Sequence, residues 1–250
     1  MKFYTVNYTR FYLLLFVTAL ALVGCGFYQP SEAEVVNIRV EGEDTILNAM
    51  VTPYRIALEE EMGTVIAELP EDLSKALPES ALGNLVCDLL MEASDTLFTP
   101  APDLAIHNYG GLRVGTLYKG ALTRGRMFEL LPFENYVVMV TMNGAELRQL
   151  CNWIAAYGGC PVAGISMVLE EDLATNIRVQ GVSIDDSREY HVVMNDYMAN
   201  GGDKLFFLKG LPSENSGVLV RDLLIDAIRA RSARNEAVLS TIENRITLGH

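Results

Sequence analysis

The residues best suited to chemistry lie at 195–203, where the chain reads N-D-Y-M-A-N-G-G-D. This run follows an apolar, β-rich stretch at 190–194 and places Tyr197 before the Gly201-Gly202 pair and the carboxylate of Asp203. Paired glycines allow positive φ and let a ligand approach the backbone closely. An aromatic ring beside such a carboxylate could hold a flat ligand that carries hydroxyl groups. The alternative is a surface turn in which Asp203 bonds to its own backbone.

Several common catalytic arrangements do not occur in the sequence. It has no phosphate-binding P-loop and no G-x-G-x-x-G after a strand, and Gly164-Ile165-Ser166 resembles a nucleophile elbow without its closing glycine, so we interpret it as core. The three histidines, His107, His191 and His250, lie in no H-x-x-x-H, D-x-H or G-N-H pattern that would form a dinuclear metal centre. We therefore expect no catalytic residue and no metal ligand in this chain.

Composition places the chain among globular proteins. Its 250 residues are 50% hydrophobic and 20% charged, enough for one domain with a substantial core. The formal net charge of -13 argues against a nucleic-acid polymer as partner, because phosphate backbones are bound by clusters of Lys and Arg.

The first residues predict export. Lys2 and Arg10 precede an apolar stretch at 11–23 that is short for a membrane span, and Leu22-Val23-Gly24-Cys25 is similar to a bacterial lipobox. We predict a lipoprotein signal peptide at 1–24, lipidation of Cys25, a tether at 25–34 and a single domain at 35–250. The protein would then be lipid-anchored in the bacterial cell envelope, facing the periplasm or the cell surface. An ordinary signal peptide with an incidental cysteine is the alternative.

Hydrophobic periodicity predicts interleaved helices and strands without the regular βαβ rhythm of a parallel sheet. The predicted strands are 35–40, 103–107, 136–142, 165–170, 177–184 and 190–194. The predicted helices are 46–62 with a break near Pro53, 80–94, a helix capped by Thr123 that reaches Leu130, 143–156, and 217–232 with an apolar stripe of Val218, Leu219, Leu223, Leu224 and Ile228.

The cysteines beyond Cys25 have two different expectations. Cys87 falls on the apolar face of a predicted helix and is expected in the core. Cys151 and Cys160 lie close together in an exported chain, so they could form a disulfide, or Cys151 could simply pack on its helix. The sequence does not decide between these two.

Four segments, in order, resemble the C-terminal, substrate-binding domain of the 5'-nucleotidase family, which includes UDP-sugar hydrolases and ecto-nucleotidases. They are E-S-A-L-G-N-L-V-C-D at 79–88, N-Y-G-G-L-R at 108–113, L-P-F-E-N at 131–135 and the run at 195–203, with a helix start N-G-A-E-L at 143–147 that is also similar. The resemblance covers about residues 40–248. It implies an α/β fold of α+β type, a single domain with two mixed sheets layered between helices in four α/β/β/α layers.

The resemblance also implies a role for each candidate side chain. Phe133 and Tyr197 would sandwich a nucleobase, with Tyr in place of the more usual Phe, and stacking tolerates different bases. Asp203 would accept the ribose hydroxyls, Asn108 would lie near base and sugar, and Arg113 would face the phosphate. Further candidates are Gly111, Asn135, Gly201 and Gly202. The alternatives are a core Phe, a capping Tyr, a turn Asp and Asn, and a solvated Arg.

The sequence departs from the family in two places. An arginine expected before the G-N-L helix is missing, and Lys75 is the candidate replacement, with weaker phosphate affinity expected from a mobile point charge. The family's N-terminal metallophosphatase domain is not found in the sequence, so we expect no cofactor in this chain and divalent metals only in a partner metallophosphatase.

We therefore expect a nucleotide- or nucleoside-recognition domain of a 5'-nucleotidase-type phosphoester hydrolase. It would work with a separately encoded metallophosphatase subunit in nucleotide breakdown. The alternatives are a stand-alone lipoprotein that binds nucleosides or nucleotides, and a scaffold whose pocket has lost its function.

Overall fold

The computed structural model describes residues 45–249. The predicted signal peptide 1–24, Cys25, the tether 25–34, the strand at 35–40 and His250 lie outside this range. The chain divides into two compact units between Ala49 and Met50. The described part of the first unit is residues 45–49, which begin the first helix, and the remaining elements belong to the second unit.

Residues 45–249 form six α-helices and thirteen strands. The helices are α1 Thr45–Met62, α2 Ala81–Ser94, α3 Arg124–Leu130, α4 Gly144–Ala156, α5 Asp196–Ala199 and α6 Val220–Ala233. The strands are β1 Val65–Leu69, β2 Leu73–Ser74, β3 Leu104–Ile106, β4 Thr116–Leu117, β5 Gly120–Thr123, β6 Tyr136–Asn143, β7 Val162–Ala163, β8 Ile165–Glu170, β9 Leu173–Val179, β10 Val182–Ser183, β11 Glu189–Asn195, β12 Ser213–Leu219 and β13 Ile246–Leu248. No helix of this part of the chain is both long and apolar enough to cross a membrane.

The larger sheet has five strands in the order β12-β6-β11-β3-β7. Its neighbouring strands pair antiparallel except for β11 and β3, which are parallel, with Val192 opposite Leu104 and Val193 opposite Ala105. Parallel strands bring their carboxyl ends to the same edge of a sheet. This edge carries the candidate site described below.

The second sheet has four strands in the order β10-β9-β8-β13, again with one parallel pair, β8 with β13. Two short ribbons, β1-β5 and β2-β4, complete the strands of this region. The fold is therefore a mixed α/β domain with two mixed sheets, as the resemblance implies.

The larger sheet separates two hydrophobic cores because successive side chains of a strand point to opposite faces. On β6, Val137 and Met139 enter one core, while Val138 and Val140 enter the other. The first core is closed by α2 and α6, and the second by α4 and the four-stranded sheet. Both faces of β6 are buried, so its sequence is a continuous apolar run rather than an alternating one.

Local capping sets where the helices begin, close to the predicted positions. The Ser80 hydroxyl accepts the Gly83 N–H at 3.0 Å, and the Thr123 hydroxyl accepts the Arg126 N–H at 3.3 Å. At the start of α4, Asn143 and Glu146 form a reciprocal capping box. The predicted helix starts are therefore confirmed. They could be predicted because a cap needs only a side-chain oxygen in front of an apolar helical pattern.

Two other predictions from the pattern are wrong. The helix at 46–62 does not break near Pro53, since the ring holds φ in the helical range and the helix continues across it. The strand at 177–184 is a hairpin, in which Gln180 and Gly181 both take positive φ and return β10 along β9.

The predicted helix at 217–232 begins late. Residues 213–219 form β12, which pairs with β6, so Val218 and Leu219 lie in a strand and not on a helical stripe. Gly217 has a φ of 71° and interrupts the strand, and the helix starts only at Val220. The backbone hydrogen bonds available along β6 outweigh the helical pattern of this apolar run.

The described cysteines are all buried free thiols. Cys87 is in the core as predicted. The disulfide between Cys151 and Cys160 is not formed, because Cys151 packs inward from α4 and the Cys160 thiol donates to the His107 carbonyl at 3.0 Å. The alternative, in which Cys151 packs on its helix, is the correct one.

Replacing Gly144 with alanine is expected to destabilise the domain. A Cβ there would collide with the backbone of Asp185 and Asp186, which packs against the first turn of α4. We expect the free energy of unfolding to fall by about 1–3 kcal/mol, as in other overpacked sites. Gly115→Ala is the matched control, because a Cβ at Gly115 meets nothing within 4 Å. Equal urea midpoints for the two variants would contradict this packing.

Candidate functional site

The structure brings the principal sequence candidates together around one cleft of about 310 Å³. Its lining residues are Asn108, Gly110, Gly111, Arg113, Phe133, Asn135, Tyr197 and Asp203. Gly201 and Gly202 do not line the cleft but form the turn behind Tyr197 and Asp203. Of the lining residues, the sequence did not single out Gly110.

A chain of amide hydrogen bonds forms the floor of the cleft. Asn195, at the end of β11, donates from Nδ2 to Oδ1 of Asn108 at 2.9 Å, and Asn108 donates from Nδ2 to Oδ2 of Asp203 at 2.8 Å. Asn195 and Asn108 are only 1% and 6% exposed, so their amides depend on these partners. Asn195 also caps α5 by accepting the Met198 N–H at 2.8 Å. The chain fixes the side chain of Asp203 relative to the sheet edge.

The second oxygen of the Asp203 carboxylate is held by Tyr197. The phenol hydroxyl donates to Oδ1 at 3.0 Å and accepts the Asp203 backbone N–H at 3.2 Å. The Tyr197 ring lies directly against Gly202, where an added Cβ would come within 2.6 Å of Cζ. Glycine is therefore required at this position for the ring to approach the turn.

The backbone of Asp203 is held in the left-handed region, with φ 49°. Its carbonyl accepts two hydrogen bonds from α4 and its C-terminal end, from Trp153 Nε1 at 2.9 Å and from Tyr157 Oη at 3.0 Å. Such a conformation is costly for a residue with a side chain and persists where its surroundings hold it. This support is not predicted from the sequence, where the spacing of Trp153 and Tyr157 indicates only that their two rings lie close together on a helix.

The opposite wall of the cleft presents an exposed aromatic ring and a cation. Phe133 is 50% exposed, and the Arg113 guanidinium lies 5.9 Å from its ring centroid. Arg113 makes one long hydrogen bond, from Nη1 to the Gly110 carbonyl at 3.4 Å, so it retains donors for an anion. Asn135 donates from Nδ2 to Asp196 Oδ1 at 2.8 Å, which ties this wall to α5.

Lys75 lies beneath the 108–113 loop rather than in the cleft lining. Its ammonium donates to the Leu112 carbonyl at 2.7 Å and to the Tyr109 carbonyl at 3.2 Å, and it stacks over the Tyr109 ring at 3.9 Å. Burial, followed by repulsion from Arg113, lowers the pKa of Lys75. Its donors therefore serve the loop, and the structure gives it a structural position where the sequence suggested a phosphate ligand.

His107 also supports the loop from below. It is 2% exposed, and its Nδ1 lies 3.1 Å from the Asn108 carbonyl, so the neutral ring carries its proton on Nδ1. Burial lowers the pKa of His107 to about 4. Gly111 packs against the His107 ring closely enough that an added Cβ would lie 2.5 Å from its Cε1 atom.

The side chains that line the cleft are of types that suit ligand binding. The cleft offers a fixed carboxylate, two exposed aromatic rings and one guanidinium, which suit hydroxyl groups, a flat ring and an anion respectively. Within residues 45–249, no group of three or more His, Cys, Asp or Glu side chains could hold a metal ion.

Comparison with known proteins identifies the family of the domain. The family model described as 5'-nucleotidase, C-terminal domain matches residues 62–210, more than half of the chain. A 5'-nucleotidase-related protein from Glossina morsitans morsitans is 25% identical over 86% of this chain and 43% of its own length. Protein UshA from Yersinia enterocolitica is 25% identical over 76% of this chain and 35% of its length.

A solved structure agrees with these matches. The crystal structure of a 5'-nucleotidase precursor from Thermus thermophilus superposes with a TM-score of 0.69 at 27% identity, over 82% of this chain and 43% of that chain. The chain thus spans less than half of the length of these relatives.

The buried neutral His107 predicts an acid-sensitive stability. Since the folded pKa is about 4 and the unfolded value 6.5, the unfolded chain binds a proton that the folded chain does not between these pH values. The free energy of unfolding should fall as pH drops from 6.5 to 4, by about 3 kcal/mol in full. Urea unfolding of wild type and His107→Gln at pH 7 and pH 5 measures this component.

In wild type, His107 should contribute about 2 kcal/mol to the fall in the free energy of unfolding between pH 7 and pH 5. The His107→Gln variant should lack this contribution. His191→Gln is the control, because His191 lies outside the cleft lining and is partly exposed. If His107→Gln keeps the wild-type pH dependence, the neutral buried imidazole is not its source.

Proposed function

This chain belongs to the 5'-nucleotidase family through its C-terminal domain, and we propose that it is the part of a 5'-nucleotidase-type hydrolase that recognises the nucleotide or nucleoside. The match of the family model and the arrangement of the cleft support this proposal. The reaction class would be phosphate-ester hydrolysis in nucleotide breakdown.

The observation that carries the proposal is the Asp203 carboxylate fixed beside two exposed rings. Asn108 and Tyr197 each hold one carboxylate oxygen, and Phe133 and Tyr197 are 50% and 46% exposed at the same cleft. Stacking on an aromatic side chain contributes about 1–3 kcal/mol per base and tolerates different bases. A hydroxyl-bearing sugar attached to a base satisfies both features with a single ligand.

In this proposal, Arg113 binds the phosphate and thereby sets the orientation of the ligand in the cleft. A guanidinium can bind two oxygens of a phosphate at once, and Arg113 makes only one long hydrogen bond within the described part of the protein. In this proposal the sugar binds at Asp203, the base between Phe133 and Tyr197, and the phosphate on the side of Arg113. Asn135, Gly111, Gly201 and Gly202 shape the walls and the turn.

The hydrolytic step is assigned in this proposal to a separately encoded metallophosphatase subunit. No group of three or more His, Cys, Asp or Glu side chains within residues 45–249 could hold a metal ion. The partner would supply divalent metals and the attacking water, and this chain would deliver the substrate. A lipid anchor at Cys25 would hold the assembly in the bacterial cell envelope.

A second candidate is a stand-alone lipoprotein that captures nucleosides. Arg113 is the one cationic side chain among the described residues that line the cleft, and Lys75 is engaged by backbone carbonyls. This observation favours a ligand whose affinity depends on base and sugar more than on phosphate. The relative affinities for a nucleoside and its monophosphate separate the two candidates.

Calorimetric titration with adenosine, AMP and a UDP-sugar, with and without divalent metal, tests recognition. We expect metal-independent binding that weakens about tenfold or more in Phe133→Ala, because a stacking surface is lost. Asp203→Ala should weaken binding of all three ligands, since each carries a ribose. Phe206→Ala is the matched control, as Phe206 is 64% exposed and outside the cleft.

Wild-type binding that is unchanged in both Phe133→Ala and Asp203→Ala would place the ligand elsewhere. The absence of any binding would leave a scaffold, and the family relationship would then describe ancestry alone.

Co-purification from the native envelope tests the split enzyme. We expect a metallophosphatase chain to be recovered with this protein, and its hydrolysis of AMP at low substrate concentration to rise when wild-type protein is added. Phe133→Ala should give a smaller increase than Phe206→Ala, because substrate delivery depends on the cleft. Recovery of no metallophosphatase, or equal stimulation by both variants, would contradict the proposed division of roles.

A further inference from the structure

The Tyr197 hydroxyl makes two hydrogen bonds to Asp203 that the aromatic ring alone could not make. Resting on the function proposed above, we propose that this hydroxyl is a positioning group that orients the Asp203 carboxylate for the two neighbouring hydroxyls of ribose. The cleft would then select ribonucleosides over 2'-deoxy and 3'-deoxy analogues. The ring of the same side chain would stack on the base as a separate role.

Both hydrogen-bonding capacities of the hydroxyl are directed at one residue. It donates to Oδ1 of Asp203 at 3.0 Å and accepts the Asp203 N–H at 3.2 Å, which closes a small ring of contacts. Its single proton is therefore already used by the carboxylate. The hydroxyl orients the acceptor instead of binding the ligand directly.

The carboxylate has little freedom to turn away from this arrangement. Its other oxygen, Oδ2, accepts the Asn108 amide at 2.8 Å, and Asn108 is in turn held by the buried Asn195. The backbone carbonyl of Asp203 is fixed by Trp153 and Tyr157. Side chain and main chain are thus held independently, and the carboxylate is preorganised before a ligand arrives.

The remaining acceptor capacity matches a vicinal diol. An ionised carboxylate has about four acceptor positions, two on each oxygen. Tyr197 occupies one on Oδ1 and Asn108 occupies one on Oδ2, which leaves one on each oxygen. Two adjacent ribose hydroxyls can donate to these two positions at the same time, whereas a deoxyribose fills only one of them.

The position of the Tyr197 ring allows one side chain both to orient the Asp203 carboxylate and to stack on the base. The ring lies on Gly202, with room for no Cβ between them, so the hydroxyl reaches Asp203 in a fixed direction. Tyr197→Phe keeps the ring and its contact with the turn and removes only the hydroxyl. It therefore separates positioning of the carboxylate from stacking on the base.

The test is calorimetric titration of wild type, Tyr197→Phe and Tyr118→Phe with adenosine, 2'-deoxyadenosine and 3'-deoxyadenosine. We expect wild type to bind adenosine about tenfold more tightly than either deoxy analogue, since each lacks one hydrogen bond to a charged acceptor. In Tyr197→Phe this preference should fall below about threefold, mainly through weaker adenosine binding. Tyr118 is 63% exposed and outside the cleft, so Tyr118→Phe should keep the wild-type preference.

The ratio of affinities is a readout that a general loss of stability does not change, because all three ligands share the same base and bind the same folded protein. A wild-type preference that persists in Tyr197→Phe overturns the inference. Tighter adenosine binding by Tyr197→Phe also overturns it, because the hydroxyl would then compete with the sugar. Binding without any wild-type preference overturns only this inference, whereas no binding of any ligand overturns the proposed function as well.

Discussion

The hydrogen-bond chain from Asn195 through Asn108 to Asp203 is the interaction on which the cleft depends. It links the carboxyl ends of β11 and β3, the one parallel pair in the larger sheet, to a turn that follows α5. Its inner members are buried, so removing any one of them leaves an amide without a partner, which is costly away from water. The sheet thereby sets the position of a carboxylate that lies on an irregular turn.

Around this chain, the walls of the cleft come from distant parts of the sequence. Phe133 and Asn135 follow α3, Arg113 ends the 108–113 loop after β3, and Tyr197 lies in α5. Lys75 and His107 satisfy or pack against the backbone of the 108–113 loop from below. The loop can therefore present its polar side chains outward because its own carbonyls have partners inside the protein.

Local signals in the sequence predicted most helices and strands, but not the elements that depend on unusual backbone angles or on pairing with a distant strand. Helix starts at Ser80, Thr123 and Asn143 were predictable because caps are local. The Gln180-Gly181 hairpin was missed because glutamine rarely takes positive φ, and β12 was missed because pairing with β6 is a long-range effect. At the cleft, residue types pointed to Tyr197 and Asp203, and the family resemblance added Phe133. The contact of the Tyr197 hydroxyl and the hydrogen bond from Trp153 could not be predicted, because they join residues through the folded structure.

Trp153 has a consequence beyond holding the turn. It is the single tryptophan of the sequence, and its indole N–H is bonded to the carbonyl of Asp203, with the Tyr157 ring 4.5 Å from its own. The tryptophan fluorescence of residues 1–250 therefore originates beside the carboxylate to which the proposed function assigns the ribose. The indole is thus a native optical reporter, and we expect its emission spectrum to shift if the turn that carries Asp203 changes, without any attached dye.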